Sequence, residues 1–266
     1  QMARGGVLHD NGAGDRAGRR GYVRGHQTYL RDGHVPGAVF AALIDQFSDP
    51  GTGLPFTRPD ADGFARAASA LGVGAETTVI VYDDALGQWA ARLWWLLRSF
   101  GHDSVAVLDG GLTAWRAEGR ALDLGHVEPT PAHFDAVARA GFWADRDEVA
   151  AVSAGTREGA LVCGLPPAEF AGSEGSRARL GHIPGSINVP AGRLIHRDAR
   201  TFLDRDALTG LFADVLPAGR VIAYCHAGVA AAADALALTV AGHRDVAIYD
   251  GSLSEWSADA SAPPTM

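Results

Sequence analysis

Short apolar runs alternate with stretches of helical periodicity along most of the chain. Val79-Ile80-Val81-Tyr82 reads as a buried strand, and Trp89–Phe100 after it reads as a helix. Val105–Leu108 is followed in the same way by Leu112–Glu118. Further along, Leu161–Val162, Val221–Tyr224 and Val246–Tyr249 predict strands, and the alanine-rich Ala230–Ala241 predicts the clearest helix. Strands alternating with helices predict an α/β fold, a mainly parallel sheet flanked by helices on both faces. Trp94 and Trp95 fall within a predicted helix and read as core. Leu124 to Pro131 breaks any regular element twice and reads as a linker.

The pattern occurs twice. Gly33-His34-Val35-Pro36-Gly37 recurs as Gly181-His182-Ile183-Pro184-Gly185, and Val79–Asp83 recurs as Val221–Cys225. Gly101-His102 and the run from Val105 to Gly110 recur as Gly242-His243 and the run from Val246 to Gly251. Trp115 and Trp256 follow their Asp-Gly pairs at equal distance. Four landmarks in one order at nearly one spacing predict two homologous domains.

At 266 residues the length suits two domains. A hydrophobic content of 47% with 20% charged residues marks a folded, soluble chain. The net charge of −8, with no Lys/Arg block, excludes a nucleic-acid partner. No apolar run reaches the ~18 residues of a membrane span, and 1–20 lacks the apolar stretch of a signal peptide. The two cysteines, Cys163 and Cys225, are too few for a metal cluster or a disulfide framework. They fit a reducing, cytoplasmic setting in which cysteine chemistry is catalytic.

Cys225 is the candidate for that chemistry, because it stands where the Val221–Tyr224 strand gives way to the alanine-rich helix. Loop N–H groups and the positive end of a helix aimed at a sulfur favour thiolate over thiol. Gly228 supplies the dihedral freedom that such a loop needs. The matching position of the first half is Asp83, followed by Asp84, and a carboxylate cannot do thiolate chemistry. The Asp83-Asp84 pair reads as a loop and helix start. One half is thus equipped and the other is its structural partner, an asymmetry expected of a cleft site. Cys163 reads as a buried strand residue, and a resolving role would require it to lie near Cys225. His34 and His182 read as residues that orient their turns, with no metal-ligand company.

The duplicated Gly-His-x-Pro-Gly motifs, the strand–Cys–loop–helix and the Asp-Gly-x-x-x-x-Trp endings together resemble the two-domain rhodaneses. That family contains the thiosulfate and 3-mercaptopyruvate sulfurtransferases. The resemblance runs from about Val7 to the C-terminus. It implies a catalytically silent domain over 1–124, a linker over 125–141 and a catalytic domain over 142–266. The implied site is a six-residue loop of Cys225, His226, Ala227, Gly228, Val229 and Ala230. Cys225 would take a sulfane sulfur from a small anionic donor, become a persulfide and pass the sulfur to a thiol or cyanide. No cofactor and no metal are implied.

The chain also departs from the family. Thiosulfate-type members carry cations after the cysteine, and mercaptopyruvate-type members carry Gly-Ser-Gly-Val-Thr. Here the Ser and Thr positions are Ala227 and Ala230, and only His226 of the loop offers a cation. Glu169 stands where relatives often hold a substrate-binding arginine, and Cys163 where they usually have aspartate. Arg177 and Arg179 are the remaining candidates for gripping an anionic donor. The alternative to a free-standing sulfurtransferase is a persulfide carrier or binding module, loaded by a partner such as a sulfur-carrier protein. The loop argues against a cysteine phosphatase, because Ala231 stands where an arginine would have to close the loop on phosphate.

Overall fold

The computed structural model describes residues 4–7, 25–175 and 179–258, with backbone alone over 4–7. The chain divides into two compact units. One runs through Arg139 and takes in 197–201, and the other spans 140–196 and 202–266.

The first unit contains β1 (Arg4–Val7), helix α1 over 25–32, β2 (Val39–Phe40), α2 (Leu43–Gln46), α3 (Ala61–Ala70), β3 (Val79–Tyr82), α4 (Gln88–Ser99), β4 (Val105–Val107) and α5 (Gly111–Ala117). Its strands pair in the order β2-β1-β3-β4, every pairing parallel. The second unit contains β5 (Trp143–Ala144), α6 (Arg146–Ser153), β6 (Ala160–Cys163), α7 (Pro167–Phe170), β7 (Ser186–Asn188), α8 (Arg205–Leu211), β8 (Val221–Tyr224), α9 (Val229–Ala241), β9 (Val246–Tyr249) and α10 (Ser252–Trp256). Its order is β5-β9-β8-β6-β7, again wholly parallel. Reversed, this is the order of the first sheet with the edge strand β5 added. The sequence repeat is therefore a structural repeat, in which β3 corresponds to β8 and β4 to β9.

The physics of each element is local. β8 and β9 are buried at every position, as strands covered on both faces must be. α4 is buried everywhere but Gln88 and Arg98, so Trp94 and Trp95 are core residues. α3, α6 and α8 each start on an aspartate, Asp60, Asp145 and Asp204, whose side chain accepts an N–H of the first turn. Residues 125–139 form no helix or strand but are tied to the first unit. Gly125 N–H donates to Leu30 O, Ala132 N–H to Ser69 O and Val137 N–H to Phe100 O.

The two motifs of each repeat meet. In the first unit the N–H of Val35, from Gly-His-Val-Pro-Gly, donates to the hydroxyl of Tyr82 on β3 at 2.9 Å. In the second, the N–H of Ile183 donates to the Tyr224 hydroxyl on β8 at 3.0 Å. The turn is thereby bolted to the strand that leads into the loop at Asp83 or Cys225. Burial raises both tyrosine pKa values, so the hydroxyls stay protonated.

Candidate active site

Cys225 follows the last residue of β8, and its carbonyl accepts from Leu253 N–H at 3.1 Å. Asp83 follows the last residue of β3, and its carbonyl accepts from Leu112 N–H at 3.0 Å. The two therefore occupy the same place in their units. In each, a left-handed glycine caps the helix that follows, Gly87 at φ 79° and Gly228 at φ 78°. A side chain at that φ would be strained, which explains the glycine. The second loop is one residue shorter.

The first unit displays what this loop is built to hold. The Asp83 carboxylate accepts four backbone N–H groups. Those of Ala85 and Gly87 reach one oxygen at 2.9 and 3.0 Å, and those of Trp89 and Ala90 reach the other at 3.0 Å each. Burial raises the Asp83 pKa while these donors pull against it. The loop and first helical turn thus form an anion cradle, and the side chain at its root fills it. In the second unit the residue at the root is Cys225, and no side chain caps the N-terminus of α9. The first N–H groups of a helix have no intrahelical acceptor, so those of Val229, Ala230 and Ala231 are donors awaiting an anion.

Cys225 is only 2% exposed, and Ala227 and Val229 are each 7% exposed, so charge at the sulfur is poorly screened by water. His226 is half-buried. Behind the loop lies α10. Ser252 accepts the N–H of Cys225 on its Oγ at 3.2 Å and donates to Tyr249 O at 2.8 Å. It adopts φ +49°, a left-handed conformation that Gly111 adopts at φ +51° in the first unit. There a Cβ would stand 2.2 Å from Asp83 O. The serine thus bears strain that its counterpart avoids, and spends it on a bond to the reactive residue. Ser254 binds the carbonyl of His226 with both its N–H, at 3.0 Å, and its hydroxyl, at 2.7 Å. These serines escaped the sequence reading, although comparing Asp109-Gly110-Gly111 with Asp250-Gly251-Ser252 would have flagged the first.

The other candidates fall elsewhere. Arg177 lies outside the described residues. Arg179 is described, and its guanidinium donates to Trp256 O at 2.5 Å and Ser257 O at 3.3 Å. Those carbonyls lie at the end of α10 opposite Ser252, where a cation is favoured by the helix dipole. Glu169 is half-buried on α7. His182 stacks on Phe170 at 3.7 Å and has Nδ1 2.8 Å from Phe170 O, and His34 stacks on Tyr29 with its ring nitrogens beside Val35 O and Gly125 O. Both orient their turns. Among the described residues no cluster of three His, Cys, Asp or Glu side chains could hold a metal, and no helix is long and apolar enough to cross a membrane.

Cys163 ends β6 and pairs in register with Tyr224. The next residue, Gly164, faces α9, since a Cβ there would meet Asp234 Oδ2 at 2.5 Å and Ala230 C at 3.3 Å. Strand alternation therefore turns Cys163 to the other face, beside the Tyr224 hydroxyl. Burial pushes its thiol up to about 12, so it stays protonated. Its surroundings are those of a packed core residue.

Comparison with known proteins identifies the family and the fold. The model of the rhodanese-like domain matches residues 23–118 and again 165–259. The chain is 35% identical over 232 residues to 3-mercaptopyruvate sulfurtransferase of Homo sapiens, covering 84% of this chain and 76% of that protein. It is 33% identical over 232 residues to thiosulfate sulfurtransferase of Gallus gallus, covering 85% and 79%. The crystal structure of SseA, a 3-mercaptopyruvate sulfotransferase from Escherichia coli, superposes with a TM-score of 0.81 at 31% identity, covering 93% and 92%.

Proposed function

The chain belongs to the rhodanese family, and from that membership we propose that it is a sulfurtransferase working through a persulfide on Cys225. The observation that carries the assignment to this residue is the repeat itself. The equivalent loop of the first unit gathers four N–H groups on the Asp83 carboxylate, and Cys225 stands at the root of the same cradle.

The Cys225 thiolate attacks the outer sulfur of the donor. A sulfur–sulfur bond forms as the donor's bond to that sulfur breaks. Sulfite leaves from thiosulfate, or the enolate of pyruvate leaves from 3-mercaptopyruvate and takes up a proton. The negative charge now sits on the terminal persulfide sulfur, one bond further out. A cradle whose donors are fixed before the reaction stabilises that charge without reorganising. A thiol or cyanide then attacks the terminal sulfur and returns Cys225 to the thiolate, a ping-pong cycle. A reduced thiol at the start of each cycle fits a reducing, cytoplasmic location.

The loop side chains bear on the donor. Ala227 and Ala230 offer no hydroxyl and Arg179 is engaged on Trp256 and Ser257, so among the described candidates His226 and the loop backbone are the groups placed to hold an anion. The engagement of Arg179 favours a second reading, in which a partner protein's persulfide loads Cys225. Steady-state turnover with thiosulfate and with 3-mercaptopyruvate, cyanide as acceptor, tests the pair. Turnover with either donor that is abolished in Cys225→Ser supports the free-standing enzyme. No turnover with both, but loading from a cysteine desulfurase, supports the carrier. Turnover that survives Cys225→Ser rejects the persulfide assignment. In His226→Gln a raised donor KM is expected if the imidazolium holds the anion.

A further inference from the structure

We propose that Ser254 is a positioning residue which aims the backbone N–H groups of the Cys225 loop from behind. The first two N–H groups after Ser252 each capture one loop carbonyl in turn: Leu253 N–H binds Cys225 O at 3.1 Å and Ser254 N–H binds His226 O at 3.0 Å. The Ser254 hydroxyl adds a second donor to the same His226 carbonyl at 2.7 Å. In a planar trans peptide the carbonyl and the following N–H point in opposite directions, and the described residues contain no cis peptide. Drawing the carbonyls of 225 and 226 back onto α10 therefore turns the N–H groups of His226 and Ala227 the other way, into the loop.

The two units differ in why this is needed. In the first, the Asp83 carboxylate gathers the N–H groups itself, and one backbone bond from Leu112 anchors the loop behind it. The second unit has no carboxylate at that place. Its N–H groups must hold their direction before the anion forms, and bonds to the carbonyls on the other side of the same peptides supply that restraint. Of the two loop carbonyls held by α10, that of His226 alone is held twice, and the second bond is a side chain's. Preorganised donors stabilise developing charge because they need not turn during the reaction. A 226–227 peptide held by one bond instead of two is freer to rotate its N–H out of line.

The proposal rests on Cys225 as the reactive thiol, so its test uses a reaction that does not depend on sulfur transfer. Alkylation of the full chain by iodoacetamide, followed across pH by intact mass, reads the thiolate at Cys225 directly, with Cys225→Ser marking the signal from Cys163. Thermal unfolding is recorded beside it. In Ser254→Ala the alkylation profile moves to higher pH and the rate at neutral pH falls roughly three- to tenfold, the equivalent of one ordinary hydrogen bond. Ser254→Thr, which keeps the hydroxyl, restores the parent profile. Where the parent loads sulfur from thiosulfate, the loading rate follows the same order. An unchanged profile in Ser254→Ala overturns the proposal. So do equal losses in the Ala and Thr variants, and so does loss of the fold in Ser254→Ala, which would make the residue structural.

Discussion

Asp234 lets the electrostatics of the second unit be tested in isolation. It lies on α9, fully buried, one helical turn beyond Ala230 and against Gly164, and among the described residues neither carboxylate oxygen has a hydrogen-bond partner. Burial raises its pKa well above the ordinary value of 3.8. The folded chain therefore keeps Asp234 neutral at pH values where the unfolded chain ionises it. The sign follows from linkage. The folded state binds more protons, so the stability carried by the neutral acid is complete below about 3.8 and is lost as pH rises toward the folded pKa. Asp234→Asn keeps the shape and removes the titration. Parent and variant should be nearly equal in stability at pH 3.5. Above that, the variant should gain up to about 1.4 kcal/mol on the parent per pH unit, the limit for one proton, and the gain should level off at the folded pKa. Urea unfolding of both proteins at half-unit pH steps and fixed ionic strength measures this. A difference that does not change with pH would refute the reasoning, because it would mean that Asp234 is ionised within the fold.

Other substitutions probe the remaining supports. Asp83→Ala strands four N–H donors, two of them buried, and should cost about 2 kcal/mol or more, and a change under ~0.5 kcal/mol would deny that the first cradle is a stabilising feature. Tyr224→Phe removes the bolt to Ile183 and should lower stability by about 1–2 kcal/mol, with Tyr82→Phe doing the same through Val35; unchanged urea midpoints would dismiss the bolt. Gly164→Ala drives a methyl to 2.5 Å from Asp234 Oδ2 and should cost about 1–3 kcal/mol. In an Asp234→Ala background most of that penalty should vanish, and simple additivity in the double variant would show that the clash lies elsewhere.

What the sequence disclosed follows the strength of each local signal. β3, β8 and β9 are apolar runs ended by an acidic residue or the cysteine, and their predicted bounds are those observed. α4 and α9 shift by one residue at their starts, which is the reach of a capping glycine. β1 went unread because two of its four residues are glycines, so no apolar run marks it, although the sheet places it between β2 and β3. The edge strands β2, β5 and β7, two or three residues long, are too short for periodicity to register. At the site, Cys225 was legible because the strand, the glycine and the helix are contiguous. Arg179 illustrates the limit: a cation beside the Gly181-His182 turn is visible in the sequence, but its commitment to two carbonyls at the end of α10 is a long-range fact. Asp83 read as a helix start. That its carboxylate fills the cradle, and so serves as an internal model of the anion at Cys225, emerges only from the four bonds it makes.

The most direct test of the central claim is the intact mass of the protein after brief exposure to thiosulfate or 3-mercaptopyruvate and removal of the donor. The account predicts a gain of one sulfur atom, located on the peptide containing Cys225, removed by cyanide and absent in Cys225→Ser. A sulfur that lodges on Cys163, or that the Cys225→Ser protein still acquires, would contradict it.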